Sequence, residues 1–141
     1  MTILRLECKS LILGSEQADR WIGLSDRSSA QTFTWSDNTI VRYTHWDVGM
    51  PNVQSGEGSK CTFMNSLHGG WVLTSCHDTM KSVCKANQEI TGIPPDSYGC
   101  SSGQLAYRGS CYEIHLDYKT YKDAESDCVK RNGHLLSITS E

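Results

Sequence analysis

Over the first 86 residues, apolar and polar side chains come in short runs of strand length. Trp21-Ile22-Gly23-Leu24 is a continuous apolar quartet and predicts a buried strand. The stretch FTWSDNTIVRY carries aromatic and β-branched runs on either side of Ser36-Asp37-Asn38. It predicts a hairpin with Phe33 and Trp35 on one face. CTFMNSL and WVLTSC flank His68-Gly69-Gly70 and predict a second hairpin, with SVCK a short strand just after it.

The pattern then breaks. Residues 87–99, NQEITGIPPDSYG, show no periodicity and contain Pro94-Pro95, a stiff extended pair suited to a connection between modules. Beyond it, LAYRGSCYEIH predicts two strands around a glycine turn. In TYKDAESDCVKRNG the period becomes helical, with Tyr121, Ala124, Cys128 and Val129 forming an apolar stripe. Thr120 and Asp123 have capping-box spacing, and Asn132-Gly133 is a stop signal. HLLSITSE predicts a final strand.

Length adds a bound: 141 residues suffice for one compact domain or two partial ones. A net charge of -3 with interspersed signs supplies no basic footprint for nucleic acid or anionic lipid, so both drop out as partners. Seven cysteines, at positions 8, 61, 76, 84, 100, 111 and 128, point to an oxidising, extracellular setting. A zinc site would want close thiol pairs, whereas the nearest pair, Cys76 and Cys84, has seven residues between its members. The opening MTILRLECKSLILGSE is broken by Arg5, Glu7 and Lys9 and does not read as a signal peptide. No stretch approaches a membrane span and no N-x-S/T sequon is present. These features together predict an excerpt of a longer secreted or membrane-bound protein, in which contact with a membrane comes only through other parts of the parent chain.

WIGL, FTWSD, YTHW, GMPN and then Cys61, Trp71, Cys76 and Cys84, in that order, resemble the second half of a C-type lectin-like domain. Cys100, Cys111, the helix with Cys128 and GHLLSITSE resemble the first half of the same kind of domain. The chain therefore resembles the junction between two successive domains in receptors of the macrophage mannose receptor family, over residues 16–141. The resemblance implies that residues 1–86 are the C-terminal part of one domain, 87–99 a linker, and 100–141 the N-terminal part of the next. It implies an α+β fold with short antiparallel sheets and one or two helices, stapled by disulfides. It pairs Cys61 with Cys76 and Cys100 with Cys111, and it joins a helix cysteine to a last-strand cysteine, the places held here by Cys128 and Cys84. In the parent each of those two has its partner in a missing half. Within this chain the halves can complement one another as a circularly permuted domain, with a Cys84–Cys128 bond and Cys8 left over.

The same resemblance locates a site. Sugar-binding members hold calcium with oxygens from a Glu-Pro-Asn triplet, an acidic residue before the next cysteine, and an Asn-Asp pair after the tryptophan. Calcium takes six to eight oxygen ligands. Here the triplet is Met50-Pro51-Asn52, the position two before Cys61 is Ser59, and the pair after Trp71 is Val72-Leu73. Asn52 alone keeps its place, with Glu57 a nearby carboxylate. The expectation is no metal, no calcium-dependent sugar recognition and no cofactor, with Met50, Pro51, Asn52, Glu57, Ser59, Val72 and Leu73 the candidate ligand contacts. The family suggests a cis bond before Pro51, and Asn52 is open between capping its loop and touching ligand.

Trp21, Trp35, Trp46 and Trp71 lie in strand-like contexts and are expected in the core rather than as ligand platforms. The histidines at 45, 68, 77, 115 and 134 match no metalloprotease helix motif, and no G-x-S-x-G elbow is present. His77-Asp78 is expected to be a solvated loop pair rather than a base with its orienter. The function implied is a non-enzymatic extracellular recognition module of a receptor, binding glycan or protein. Carbohydrate binding through calcium-independent stacking or hydrogen bonds at residues 47–59 is the alternative, and a metal-dependent hydrolase the remotest.

Overall fold

Trp21 to Leu24 lie in the first strand, β1 (Arg20–Ser25), every residue of which is buried. Side chains alternate across it. Ile22 and Leu24 point into a cluster with Trp35, Met64, Trp71, Val83, Tyr112 and Leu136, and Trp21 points the other way, against Tyr121, Ala124, Cys128 and Leu135. A strand covered on both faces reads as an unbroken apolar run, as this one does.

A computed structural model describes residues 18–26, 32–51, 60–87, 100, 104–107 and 109–139. Among them are the further strands β2 (Thr34–Trp35), β3 (Lys60–Met64), β4 (Trp71–Ser75), β5 (Met80–Asn87), β6 (Leu105–Tyr107), β7 (Ser110–Lys119) and β8 (His134–Leu135), and one helix, α1 (Tyr121–Lys130). The fold is α+β. The strands form one sheet in the order β4-β3-β1-β5-β7-β6, with β2 added to β1 and β8 to β5. β1 runs parallel to β5, and the other pairs are antiparallel. Disulfides join Cys61–Cys76, Cys84–Cys128 and Cys100–Cys111. Cys8 and residues 88–99, the greater part of the expected connection, lie outside the described residues.

The two stretches on either side of that connection share the sheet. β5 pairs with β7 from Met80 opposite Lys119 to Asn87 opposite Ser110. The Trp21 indole donates to the Lys119 carbonyl at 2.8 Å, and the Tyr121 hydroxyl to the Gly23 carbonyl at 3.0 Å. β8 is held between them, with Gly23 N–H donating to Leu136 O (2.7 Å) and Leu136 N–H to Val83 O (2.9 Å). These bonds give β8 and the residue after it backbone partners on both sides, as buried backbone groups require.

The hairpin around His68-Gly69-Gly70 is present, β3 against β4 with Phe63 opposite Val72 and Thr62 opposite Leu73. So is the pair around the glycine turn, with Gly109 in the left-handed region between β6 and β7. The expected hairpin in FTWSDNTIVRY is not. Only Thr34–Trp35 is strand, and it pairs with Leu24–Ser25 of β1 rather than with the residues after the turn. The reason is local: Asn38 is left-handed (φ 66°), and the Asp37 carboxylate takes the N–H and hydroxyl of Thr39, an Asx turn that sends the chain away. Phe33 and Trp35 nonetheless both pack into the first cluster.

The helix begins where expected, the Thr120 hydroxyl accepting Asp123 N–H at 3.3 Å. It ends in a Schellman arrangement, with Asn132 N–H to Val129 O, Gly133 N–H to Cys128 O and Asn132 left-handed. Tyr121, Ala124 and Cys128 are buried as the stripe predicts, but Val129 is 51% exposed. It stands 100° round from Cys128, beyond the edge of the face that meets the sheet. Among the described residues of HLLSITSE, strand is formed at His134–Leu135.

Candidate ligand-recognition site

Trp71 anchors the site. Its ring meets the edges of Trp35 (5.5 Å between centroids), Trp46 (5.8 Å) and Tyr43 (5.9 Å), in edge-to-face contacts that favour aromatic packing. Its backbone does the same work on the neighbouring loop: Trp71 N–H donates to His45 O and Asp47 N–H to Trp71 O, both at 2.9 Å. That bridge fixes the start of residues 47–51 beside the β3–β4 turn. The tryptophans are core, as their contexts predict: Trp21, Trp35 and Trp71 are buried, and Trp46 is partly buried against Phe33 at 5.4 Å.

From Asp47 the chain makes a tight turn, Met50 N–H donating to Asp47 O at 2.9 Å with Gly49 left-handed, and enters a cis Met50–Pro51 bond. The Asp47 carboxylate accepts Val48 N–H (2.8 Å) and lies 3.7 Å from His68 Nε2. Gly70 makes room for it, because a Cβ there would stand 2.9 Å from the Asp47 carboxyl carbon. The β3–β4 turn is closed on itself by Asn65, whose side chain takes Leu67 N–H (2.7 Å) and whose N–H reaches Gly70 O (2.8 Å). The resulting rim carries two exposed apolar side chains, Val48 at 98% and Leu67 at 77%, with Pro51 exposed and Met50 half-buried between them and the core.

Val72 and Leu73 follow Trp71 directly. Val72 is half-buried, and Leu73 is 9% exposed. Neither carries a side-chain oxygen, and Met50 offers a thioether where a carboxylate would be needed. The donor chemistry at the described positions does not fit calcium. Asn52, Glu57 and Ser59 lie outside the described residues. Leu67 and His68 are not among the expected contacts, and Asp47 and Val48 are expected only within the 47–59 loop of the alternative reading. They converge because two loops about twenty residues apart meet at Trp71, a meeting for which the only sequence signal was the Gly69-Gly70 pair beside a strand.

The histidines are dispersed. His45 stacks on Tyr43, His115 lies 3.3 Å from Glu113, His134 lies 2.7 Å from Glu125, and His68 faces Asp47. Glu113 also takes the Arg131 guanidinium at 2.7 Å, and Glu125 takes Leu135 N–H. Those carboxylates are structural anchors for the helix end and β8. His77 and Asp78 are exposed on the β4–β5 turn, where Asp78 is engaged by the Thr74 hydroxyl and His77 N–H by the Ser75 hydroxyl. Among the described residues, no group of three or more His, Cys, Asp and Glu side chains could hold a metal ion. A shallow groove of about 520 Å³, lined by Asn38, Thr39, Ile40, Arg42 and Thr139, lies on another part of the surface.

Among known proteins, the sequence model of the lectin C-type domain matches residues 5–86. The chain is 30% identical to human C-type mannose receptor 2 over 140 residues, 99% of this chain and 10% of that protein. It is 28% identical to the human secretory phospholipase A2 receptor over 146 aligned positions, 96% of this chain and 10% of the other. Lymphocyte antigen 75 of Mesocricetus auratus is 32% identical over 136 positions, covering 92% of this chain and 8% of that protein. The chain thus spans about a tenth of the length of these curated relatives. With a lectin C-type match over more than half its length and the Trp-anchored sheet and loop just described, the chain belongs to the C-type lectin domain family.

Proposed function

We propose that this chain is a non-enzymatic, extracellular recognition module of a receptor with several lectin-like domains. Residues 1–86 are read as the C-terminal part of one domain, 87–99 as the linker and 100–141 as the N-terminal part of the next. The ligand is a protein or glycan, met without calcium by the rim of residues 47–51 and 65–73, with Asn52, Glu57 and Ser59 as further candidate contacts. Nucleic acid is not a partner, and any membrane attachment belongs to other parts of the parent.

The observation that carries this reading is the Val72-Leu73 pair at the root of the site. Leu73 is buried opposite Thr62 and, like Val72, brings no side-chain oxygen to the site. The exposed Val48 and Leu67 favour an apolar contact with a protein surface over the hydroxyl-rich face of a sugar. Trp71, buried at the centre of the aromatic cluster, is not available as a stacking platform for a sugar. The receptor names of the relatives support the setting. The separate tethering of His68, His115 and His134 to different carboxylates supports a non-catalytic role.

Calorimetric titration with calcium and a glycan array run with and without chelator test it together. The expected result is no binding heat and no chelator-sensitive glycan signal. Calcium binding tighter than about millimolar, the weak end for extracellular modules, overturns the reading.

A further inference from the structure

We propose that the groove lined by Asn38, Thr39, Ile40, Arg42 and Thr139 is a second binding site, separate from the rim, and that it takes an acidic sugar residue, a single pyranose bearing a carboxylate or a sulfate.

The groove forms where two segments leave the core together. Val41 and Ile138 pack against the first cluster, and their neighbours Ile40, Arg42 and Thr139 are exposed. The segments are pinned beneath the groove: the Ser137 hydroxyl donates to Asp37 at 2.6 Å, and Lys85 Nζ donates to Ser137 O at 3.0 Å. Its volume of about 520 Å³ falls within the roughly 300 to 1,000 Å³ of small-molecule sites, and walls fixed in advance reduce the ordering cost of binding.

Charge selects the sign of the ligand. Arg42 is exposed, and among the described residues no carboxylate forms an ion pair with it. Asp37, beside the groove, is already held by the Ser137 hydroxyl and by the N–H and hydroxyl of Thr39 (3.0 and 2.6 Å), and it feels the Lys85 charge. The guanidinium is therefore the uncompensated charge of the groove. Its planar fork matches two oxygens of a carboxylate or sulfate.

The remaining donors and acceptors favour a sugar over a peptide. Thr39 spends its hydroxyl proton on Asp37 and keeps lone pairs to accept with, while the Asn38 amide and the Thr139 hydroxyl can each donate and accept. Sugar hydroxyls, which also do both, match that set. Ile40, 66% exposed, supplies an apolar surface for the C–H face of a pyranose ring. An extended peptide needs backbone donors, but the Asn38 and Thr39 N–H groups are committed to Trp35 O at 2.9 Å and to the Asp37 carboxylate.

The test follows amide shifts of isotopically labelled full chain, with chelator present, during titration with N-acetylneuraminic acid, a galactose sulfate monoester, neutral galactose and a capped tetra-aspartate peptide. At least one acidic sugar is expected to shift the amides of Asn38, Thr39, Arg42 and Thr139 with a dissociation constant on the order of 1 mM, the weak affinity of one exposed fork and a few hydrogen bonds. Which of the two acids binds assigns the charge to carboxylate or sulfate. Arg42→Gln is expected to weaken binding about tenfold or more at an unchanged melting midpoint, and Arg42→Lys to weaken it less, because an ammonium keeps the charge without the fork. Amides unmoved by both acidic sugars at about 10 mM, equal shifts with galactose, undiminished binding by Arg42→Gln, or tighter binding of the peptide overturns the proposal. Chelator is present throughout, so the outcome does not depend on the reading of the rim.

Discussion

Gly23 to Ala is the sharpest probe of the joint. A Cβ at residue 23 would lie 2.7 Å from the Leu135 carbonyl oxygen, 2.7 Å from the Ser36 hydroxyl and 3.2 Å from the Leu135 carbonyl carbon. The Ser36 side chain can turn away. The Leu135 backbone cannot, because β8 is fixed by Gly23 N–H to Leu136 O (2.7 Å), Leu136 N–H to Val83 O (2.9 Å) and the Glu125 carboxylate on Leu135 N–H (2.8 Å). Ordinary contact begins at 3.4 Å, so β8 must retreat by 3.4 minus 2.7, or 0.7 Å. That retreat weakens at least one backbone hydrogen bond, worth about 1 kcal/mol, and adds an overpacking cost of about 1 to 3 kcal/mol.

The expected loss is therefore about 2 to 4 kcal/mol. At roughly 3 to 5 °C per kcal/mol for a domain of this size, the melting midpoint falls by about 6 to 20 °C. Differential scanning calorimetry measures it, with two variants as controls. Gly49→Ala, in the left-handed region with no atom within 4 Å of the new Cβ, is expected to cost only the backbone term of about 1 kcal/mol. Ser36→Gly added to Gly23→Ala should restore little, since the obstacle is backbone. If Gly23→Ala melts within 2 °C of the parent, or if Ser36→Gly rescues it fully, then β8 is not seated on β1 as described.

Two further outcomes are expected. Replacing both cysteines of the 84–128 bridge with alanine, a closure spanning 44 residues, costs about 4 kcal/mol in the chain-entropy view, against about 3 kcal/mol for the 61–76 bridge, which spans 15; urea midpoints that reverse this order would refute it. Burial of Asp37 works to raise its carboxyl, but hydrogen bonds from Ser137 and Thr39, aided by the Lys85 charge, outweigh it and hold the group below the ordinary aspartate value of 3.8. A depressed folded value contributes stability that is complete above pH 3.8 and is lost as pH falls through the lower value. Asp37→Asn should flatten the acid limb of a pH-dependent urea series and leave the slope above pH 6 unchanged, and an unaltered acid limb counts against the assignment.

What the chain reveals in advance, and what it withholds, divides along one physical line. Period and turn chemistry act between residues a few positions apart, so β1, the β3–β4 hairpin, the Gly109 turn and the Thr120-to-Gly133 helix are all legible from their own residues. Partner choice acts between residues far apart, and period 2 states only that a side chain faces a core, never which strand supplies it. That is why Thr34–Trp35 is legible as strand while its pairing with β1 is not. The alternation fits either partner, and the tie is broken by the Asp37 turn and the open edge of β1 at Leu24–Ser25. The same limit governs the site. That Val72 and Leu73 carry no side-chain oxygen is legible because donor chemistry is a property of single residues. The Asp47–His68 approach is invisible because it depends on Trp71 bridging to Trp46 across two loops. Residue types alone thus argue against one chemistry, while the neighbours of a site wait on the fold. The rim that Val48 and Leu67 offer in its place emerges only once the tryptophans are packed.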